Sequence, residues 1–172
     1  MKNTIKFFAL AVVICGFSAT SFAQSASATA SGIITPAYFI AKTTDMNFGS
    51  VVPGAIGGNV ILAPAGTTTV SGGVTKLAAG SGAISAAEFA LLGPAAGATL
   101  YTVSLPNKID ITREGGTEIM VVNGFTVDKG ALAVGGAGTL KVGATLNVGT
   151  VASNPAGTYS NPSGFQITVN FQ

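Results

Sequence analysis

Residues Ser163 to Gln172 read SGFQITVNFQ, and from Phe165 onward the alternation has no fault. Phe165, Ile167, Val169 and Phe171 take one parity, while Gln166, Thr168, Asn170 and Gln172 take the other. Successive side chains of an extended chain point to opposite faces, so this pattern predicts a half-buried strand running to the last residue. Burying four such apolar side chains is worth about 6 to 12 kcal/mol in all, comparable with the whole net stability of a small domain. Their face therefore has to be covered, by this chain or by another molecule.

The same pattern recurs upstream between turn signals, in GGNVILAP, ATLYTVSLP, KIDITREGGTEIMVV, NGFTVDKG and GTLKVGATLNVG. In Tyr101-Val103-Leu105 one parity is apolar while Thr102 and Ser104 face out, and Leu140, Val142, Ala144, Leu146 and Val148 repeat the rule. Many short strands at such spacing predict an all-β sandwich or barrel. REGGTE, between Ile111 and Ile119, reads as a hairpin tip in which Gly115-Gly116 supply the positive φ of a tight turn. Gly57-Gly58, Gly72-Gly73 and Gly135-Gly136 mark further turns. Ser85 to Gly93, SAAEFALLG, has a possible helical period, but Gly and Pro follow at once and a strand is expected there too. No sequence period links the segments, so no repeat array and no second domain is expected.

The start of the chain obeys different rules. Lys2 and Lys6 precede an apolar run from Phe7 to Phe17 that ends in Ser21-Phe22-Ala23, the form of a secretory signal peptide cleaved after Ala23. The run is too short to span a bilayer, and nothing after it is long and apolar enough, so no membrane span is expected once the signal is removed. Cys15, the single cysteine, would leave with the signal. Residues 24–35 form an N-terminal extension, and 36–172 the β-domain.

Charge excludes one class of partner. Without Lys2 and Lys6 there remain Lys42, Lys76, Lys108, Arg113, Lys129 and Lys141 against Asp45, Glu88, Asp110, Glu114, Glu118 and Asp128. Nucleic-acid binding draws on clustered Lys and Arg, and these bases are scattered singly. Chemistry is limited in the same way, because residues 24–172 contain no Cys, His or Trp. Thiolate nucleophiles, imidazole bases and the usual zinc ligands are missing, so no enzyme activity and no cofactor is expected. A serine nucleophile would need a Lys base, and no S-x-x-K spacing occurs.

Asp110, Glu114 and Glu118 sit four apart, a spacing that raises paired carboxylates for glycoside hydrolysis or a calcium site. On a hairpin that spacing does not converge three groups, and Arg113 stands beside Glu114 to neutralise it. Solvated hairpin charges are expected, with no catalytic and no metal residues. GAIGG and GGAG lack the strand-then-helix setting of a phosphate loop and read as turns.

Six segments taken in order, MNFGSVVPG, GGVTKL, FALLGPAAGATLYTVSLP, MVVNGFTVD, LKVGATLNVG and AGTYSNPSGFQITVNFQ, resemble a pilin-like domain of unknown function found in secreted bacterial proteins. That domain in turn is similar to the major subunits of chaperone-usher pili. The resemblance implies an immunoglobulin-like Greek-key β-sandwich whose missing strand comes from the next subunit, a form of β-augmentation. It implies that Phe165, Ile167, Val169 and Phe171 line the acceptor groove. The donor would be QSASATASGIIT after the signal, with Ala26, Ala28, Ala30, Gly32 and Ile34 on the inward parity.

The expectation is a structural subunit of a fimbrial, pilus-like cell-surface fibre or coat, exported through the periplasm of a Gram-negative bacterium. Its partners would be further copies of itself, with a periplasmic chaperone and an outer-membrane usher. The alternative is a self-complete secreted β-sandwich that binds glycan or an envelope component.

Overall fold

The computed structural model describes residues 24–34, 39–77, 82–92, 101–129 and 137–171. Among them the regular elements are all strands: β1 (Phe39–Thr44), β2 (Val51–Val52), β3 (Gly58–Leu62), β4 (Thr68–Gly72), β5 (Thr75–Lys76), β6 (Ala87–Leu92), β7 (Tyr101–Ser104), β8 (Lys108–Arg113), β9 (Ile119–Lys129), β10 (Ala137–Val148), β11 (Tyr159–Ser160) and β12 (Thr168–Phe171). All pairings between them are antiparallel. Residues 24–34 carry no helix or strand and are exposed throughout. The expected signal peptide, residues 1–23, and the turn at Gly135-Gly136 lie outside the described residues.

β10 is the spine of the fold. On one side it pairs with β9 from Leu140 to Asn147, and on the other it changes partner: Ala137–Val142 pair with β6, Ala144–Val148 with β3. The change falls at Gly143, where a Cβ would run into the carbonyl of Leu62 and the Ala63-Pro64 peptide. A residue with no side chain is what lets the second limb start so close to the spine. Opposite this point the β9 register slips between Gly143 and Thr145, around Gly124 with φ of 58°. One extra residue on one strand bends a ladder and increases its twist, so the sheet curls here.

KIDITREGGTEIMVV and NGFTVDKG, read as separate segments from the sequence, share one strand here, because β9 runs through Asn123-Gly124 unbroken. The left-handed conformation that glycine brings to a hairpin turn serves equally well at a bulge.

The β10 parity expected from sequence is the observed one, with Leu140, Val142, Ala144, Leu146 and Val148 all buried. Because the sheet curls, these side chains feed two cores. The first gathers Val60, Val74, Met120, Val122, Ala144, Leu146 and Val148, and the second Ala87, Phe89, Leu91, Leu140 and Val142. Met46 and Phe125 pack against both. The β6 segment, the ambiguous one in sequence, alternates buried and half-buried positions as a strand of this second core.

Two small sheets complete the body. β2 pairs with β5, and Val51 packs on the first core. β7 pairs with β12, and Val103, Ile167 and Val169 pack on the second. The β8–β9 hairpin turns at Glu114-Gly115 as expected, although only Gly115, at 71°, has the positive φ; Gly116 does not.

Candidate functional site: the flank between the first and last strands

The apolar parity from Phe165 to Phe171 is half-buried and the polar parity is exposed, as the alternation requires. Pairing with β7 begins only at Thr168, opposite Ser104, so Phe165 and Ile167 lead into the strand without belonging to it. Phe165 is the anchor of this lid. Its ring lies edge-on to Phe89, with centroids 6.2 Å apart, and 5.1 Å from Phe125. Ile167 and Val169 continue over Leu140 and its neighbours.

At the far end the cover is incomplete. Phe39, Ile40, Val169, Asn170 and Phe171 line an open cleft of about 380 Å³ between β1 and β12. Phe39 is 47% exposed and Ile40 39%, adjacent apolar residues at the start of a strand that, among the described residues, pairs with β6 alone. Among the described residues, Thr168–Asn170 have a strand on one side only, β7. On that side Phe171 leans on Tyr101, with ring centroids 6.1 Å apart. Burial pushes the Tyr101 hydroxyl above its ordinary range, and the Asp128 carboxylate adds to the effect.

The four residues expected at a groove therefore divide. Phe171 and Val169 line the cleft, Val169 while also packing on the second core, whereas Phe165 and Ile167 are held in that core and do not line the cleft. The other wall, Phe39 and Ile40, was not singled out in the sequence. The signal was present as two consecutive apolar residues at a strand start, where alternation permits only one to be buried.

The expected donor positions Ala26, Ala28, Ala30, Gly32 and Ile34 all lie in the exposed segment 24–34. Its last two residues, Ile33 and Ile34, are 94% and 98% exposed. Two fully exposed isoleucines in sequence leave about 3 to 6 kcal/mol of burial unrealised, if each is worth a typical apolar side chain.

The carboxylates on the β8–β9 hairpin do not gather. Arg113 pairs with Glu118 at 3.0 Å, correcting the expected neutralisation of Glu114. Across the hairpin, Arg113 donates to both Glu118 oxygens, and hydrogen bonds from backbone N–H and from Arg113 hold the Glu118 carboxyl below its usual range. Glu114 instead meets the Ser160 hydroxyl at 3.5 Å, and the Asp110 carbonyl accepts from Asn161. Among the described residues no three His, Cys, Asp or Glu side chains are placed to hold a metal ion, and no helix is long and apolar enough to cross a membrane.

Comparison with curated proteins and with solved structures returns no match. Residues 39–171, from the first strand to the last, match the model of a domain of unknown function, DUF4402, and the chain belongs to that family.

Proposed function

We propose that this protein is a structural subunit of a bacterial cell-surface fibre or coat, exported and then polymerised by donating a β-strand from one copy to the next. The observation that carries the reading is the open apolar flank: Val169 and Phe171 face a cleft whose other wall is the half-exposed pair Phe39-Ile40. A strand laid along Thr168–Asn170 would pair their backbone and cover that wall, which is the geometry of β-augmentation. The donor is the segment before the domain, with Ala26, Ala28, Ala30, Gly32 and Ile34 turned inward and Ile34, 98% exposed, losing its exposure. The acceptor is Phe165, Ile167, Val169 and Phe171, of which the last two make the direct contacts.

The finer fold is an immunoglobulin-like Greek key. Tyr159 supports it: at the start of β11 its hydroxyl donates to the Pro155 carbonyl four residues upstream at 2.9 Å, the arrangement of a tyrosine corner. On this reading the protein is fimbrial, has no catalytic role, and depends on a chaperone to cover the flank before assembly.

The test uses two variants of opposite parity. Ala28→Arg puts a charge on the inward face of the donor and should abolish polymers, while Ser27→Arg on the outward face should assemble almost normally. Polymers are counted by microscopy and by SDS-resistant ladders. Normal polymers from Ala28→Arg, or a stable wild-type monomer with no polymer, would leave the self-complete glycan- or envelope-binding sandwich as the function.

A further inference from the structure

β4 is an edge of a different kind from β1. It forms the outer strand of the limb that starts at Gly143, pairs with β3 from Gly58↔Gly72 to Leu62↔Thr68 without a register break, and has no strand on its other side among the described residues. Its sequence is Thr68-Thr69-Val70-Ser71-Gly72, with no charge and no proline, and every residue from Thr69 to Gly72 is exposed. Natural sheets blunt such edges with charges, prolines, bulges or very short strands. β1 has Lys42, paired with Asp45, and a register slip between Lys42 and Thr44; β11 has two residues between Pro155 and Pro162. At β4 the protection is confined to one end, where Lys76 donates to the Thr68 hydroxyl at 2.6 Å.

Val70 shows what the edge lacks. It lies directly across from Val60, which is 0% exposed, yet Val70 itself is 40% exposed. The face that carries Val60 in the first core therefore continues onto β4 at Val70, which is left partly exposed there. One more strand would cover Val70 and pair the open backbone of β4 in the same step.

We propose that β4 is a self-pairing edge, whose occupant is β4 of a second copy of this chain related by a two-fold axis through Val70. Antiparallel pairing about that axis sets Val70 against Val70, Thr69 against Ser71 and Thr68 against Gly72. The β-branched residues suit a strand, the hydroxyls can hydrogen-bond across it, and no like charges meet. Such a contact is isologous, so it closes at two copies. A pair of five-residue strands covers far less than the ~1,600 Å² of a standard interface, so one pairing alone is weak. Along a fibre the pairings would add, giving lateral association of fibres; this last consequence rests on the function proposed above.

The experiment follows association of the chain without its first 23 residues by sedimentation velocity up to about 1 mM, a range suited to weak pairing. Ala28→Arg, in which strand donation is blocked, should form a concentration-dependent dimer, and the Val70 variants are made in that background. Val70→Lys and Val70→Glu, each bringing like charges together, should each weaken that dimer about tenfold or more, and an equimolar mixture of the two should restore it. Restoration in the mixture also shows that both variants are folded. A dimer indifferent to Val70→Lys, no recovery in the mixture, or no dimer from the Ala28→Arg chain at any concentration would overturn the self-pairing edge. Polymers that persist in Ala28→Arg alongside an intact Val70-dependent dimer would instead overturn strand donation alone.

Discussion

The two cores sit on one spine and are finished differently. The first, around Leu146 and Val122, takes partners from β3, β8, β9 and the loop through Val74, and its close approaches are backbone to backbone at Gly54, Gly57, Gly58 and Gly73. The second, around Leu140 and Val142, is roofed by a two-stranded lid whose apolar residues stay half-buried and whose free side opens on Phe39 and Ile40. Burial rather than composition separates them. Both have apolar spines, but among the described residues the cover of the second ends at a cleft between the first and last strands, where a strand donated by another copy has apolar surface to cover.

Breaking the shared spine should be the largest effect. Gly143→Val drives a side chain into the Leu62 carbonyl, so it should remove both cores together and cost about 4 kcal/mol or more in a urea titration. Single truncations in the two cores should be smaller and alike: Leu140→Ala and Leu146→Ala should each cost about 2–5 kcal/mol. Equal losses would show that the second core is as tightly built as the first beneath its lid. A much smaller loss at Leu140 would mean that the incomplete cover weakens it throughout.

Within the lid the effect should fall from anchor to flank. Phe165→Ala, stripping the ring from between Phe89 and Phe125, should cost roughly 2–3 kcal/mol, below the range for a fully buried Phe. Val169→Ala should cost about 1 kcal/mol or less in the monomer, because one side of it already faces the cleft. Asn170→Asp, on the exposed parity, should stay within about 0.5 kcal/mol.

The smallest effect lies away from both cores. The folded Glu118 carboxyl titrates below its ordinary 4.5, so its contribution is present above that pH and is lost as the pH falls through the lower folded value. Melting curves of wild type and Glu118→Gln should therefore be slightly separated above about pH 4.5, with wild type the more stable, and should converge as the pH falls below that through the lower folded value. A separation that grows toward low pH would reverse the sign and remove the Arg113 pairing as its cause.

How far the sequence could be read follows from the range of the forces involved. Strict parity fixes which side of a strand is buried, so Leu140 to Val148 and Phe165 to Phe171 were legible without knowing any partner. REGGTE was legible as a turn because its local chemistry suffices. The partner exchange on β10 was not, since Gly143 differs from a turn glycine only through the approach of Leu62 from far along the chain. Arg113 chose Glu118 over its sequence neighbour because a hairpin brings together side chains across its two strands, whereas adjacent residues point apart. The cleft was half legible: the alternation pointed to Val169 and Phe171, but Phe39 and Ile40 become its second wall only when β1 pairs with β6.

The claim that the open flank is completed by another copy's leading segment is tested most directly by amide hydrogen exchange, comparing monomer with assembled material. The amides of Thr168–Asn170 that point away from β7, and those of residues 24–34, should exchange fast in the monomer, and both groups should slow together by orders of magnitude on assembly. Protection of both segments already in the monomer, or fast exchange of either segment in the polymer, would contradict it.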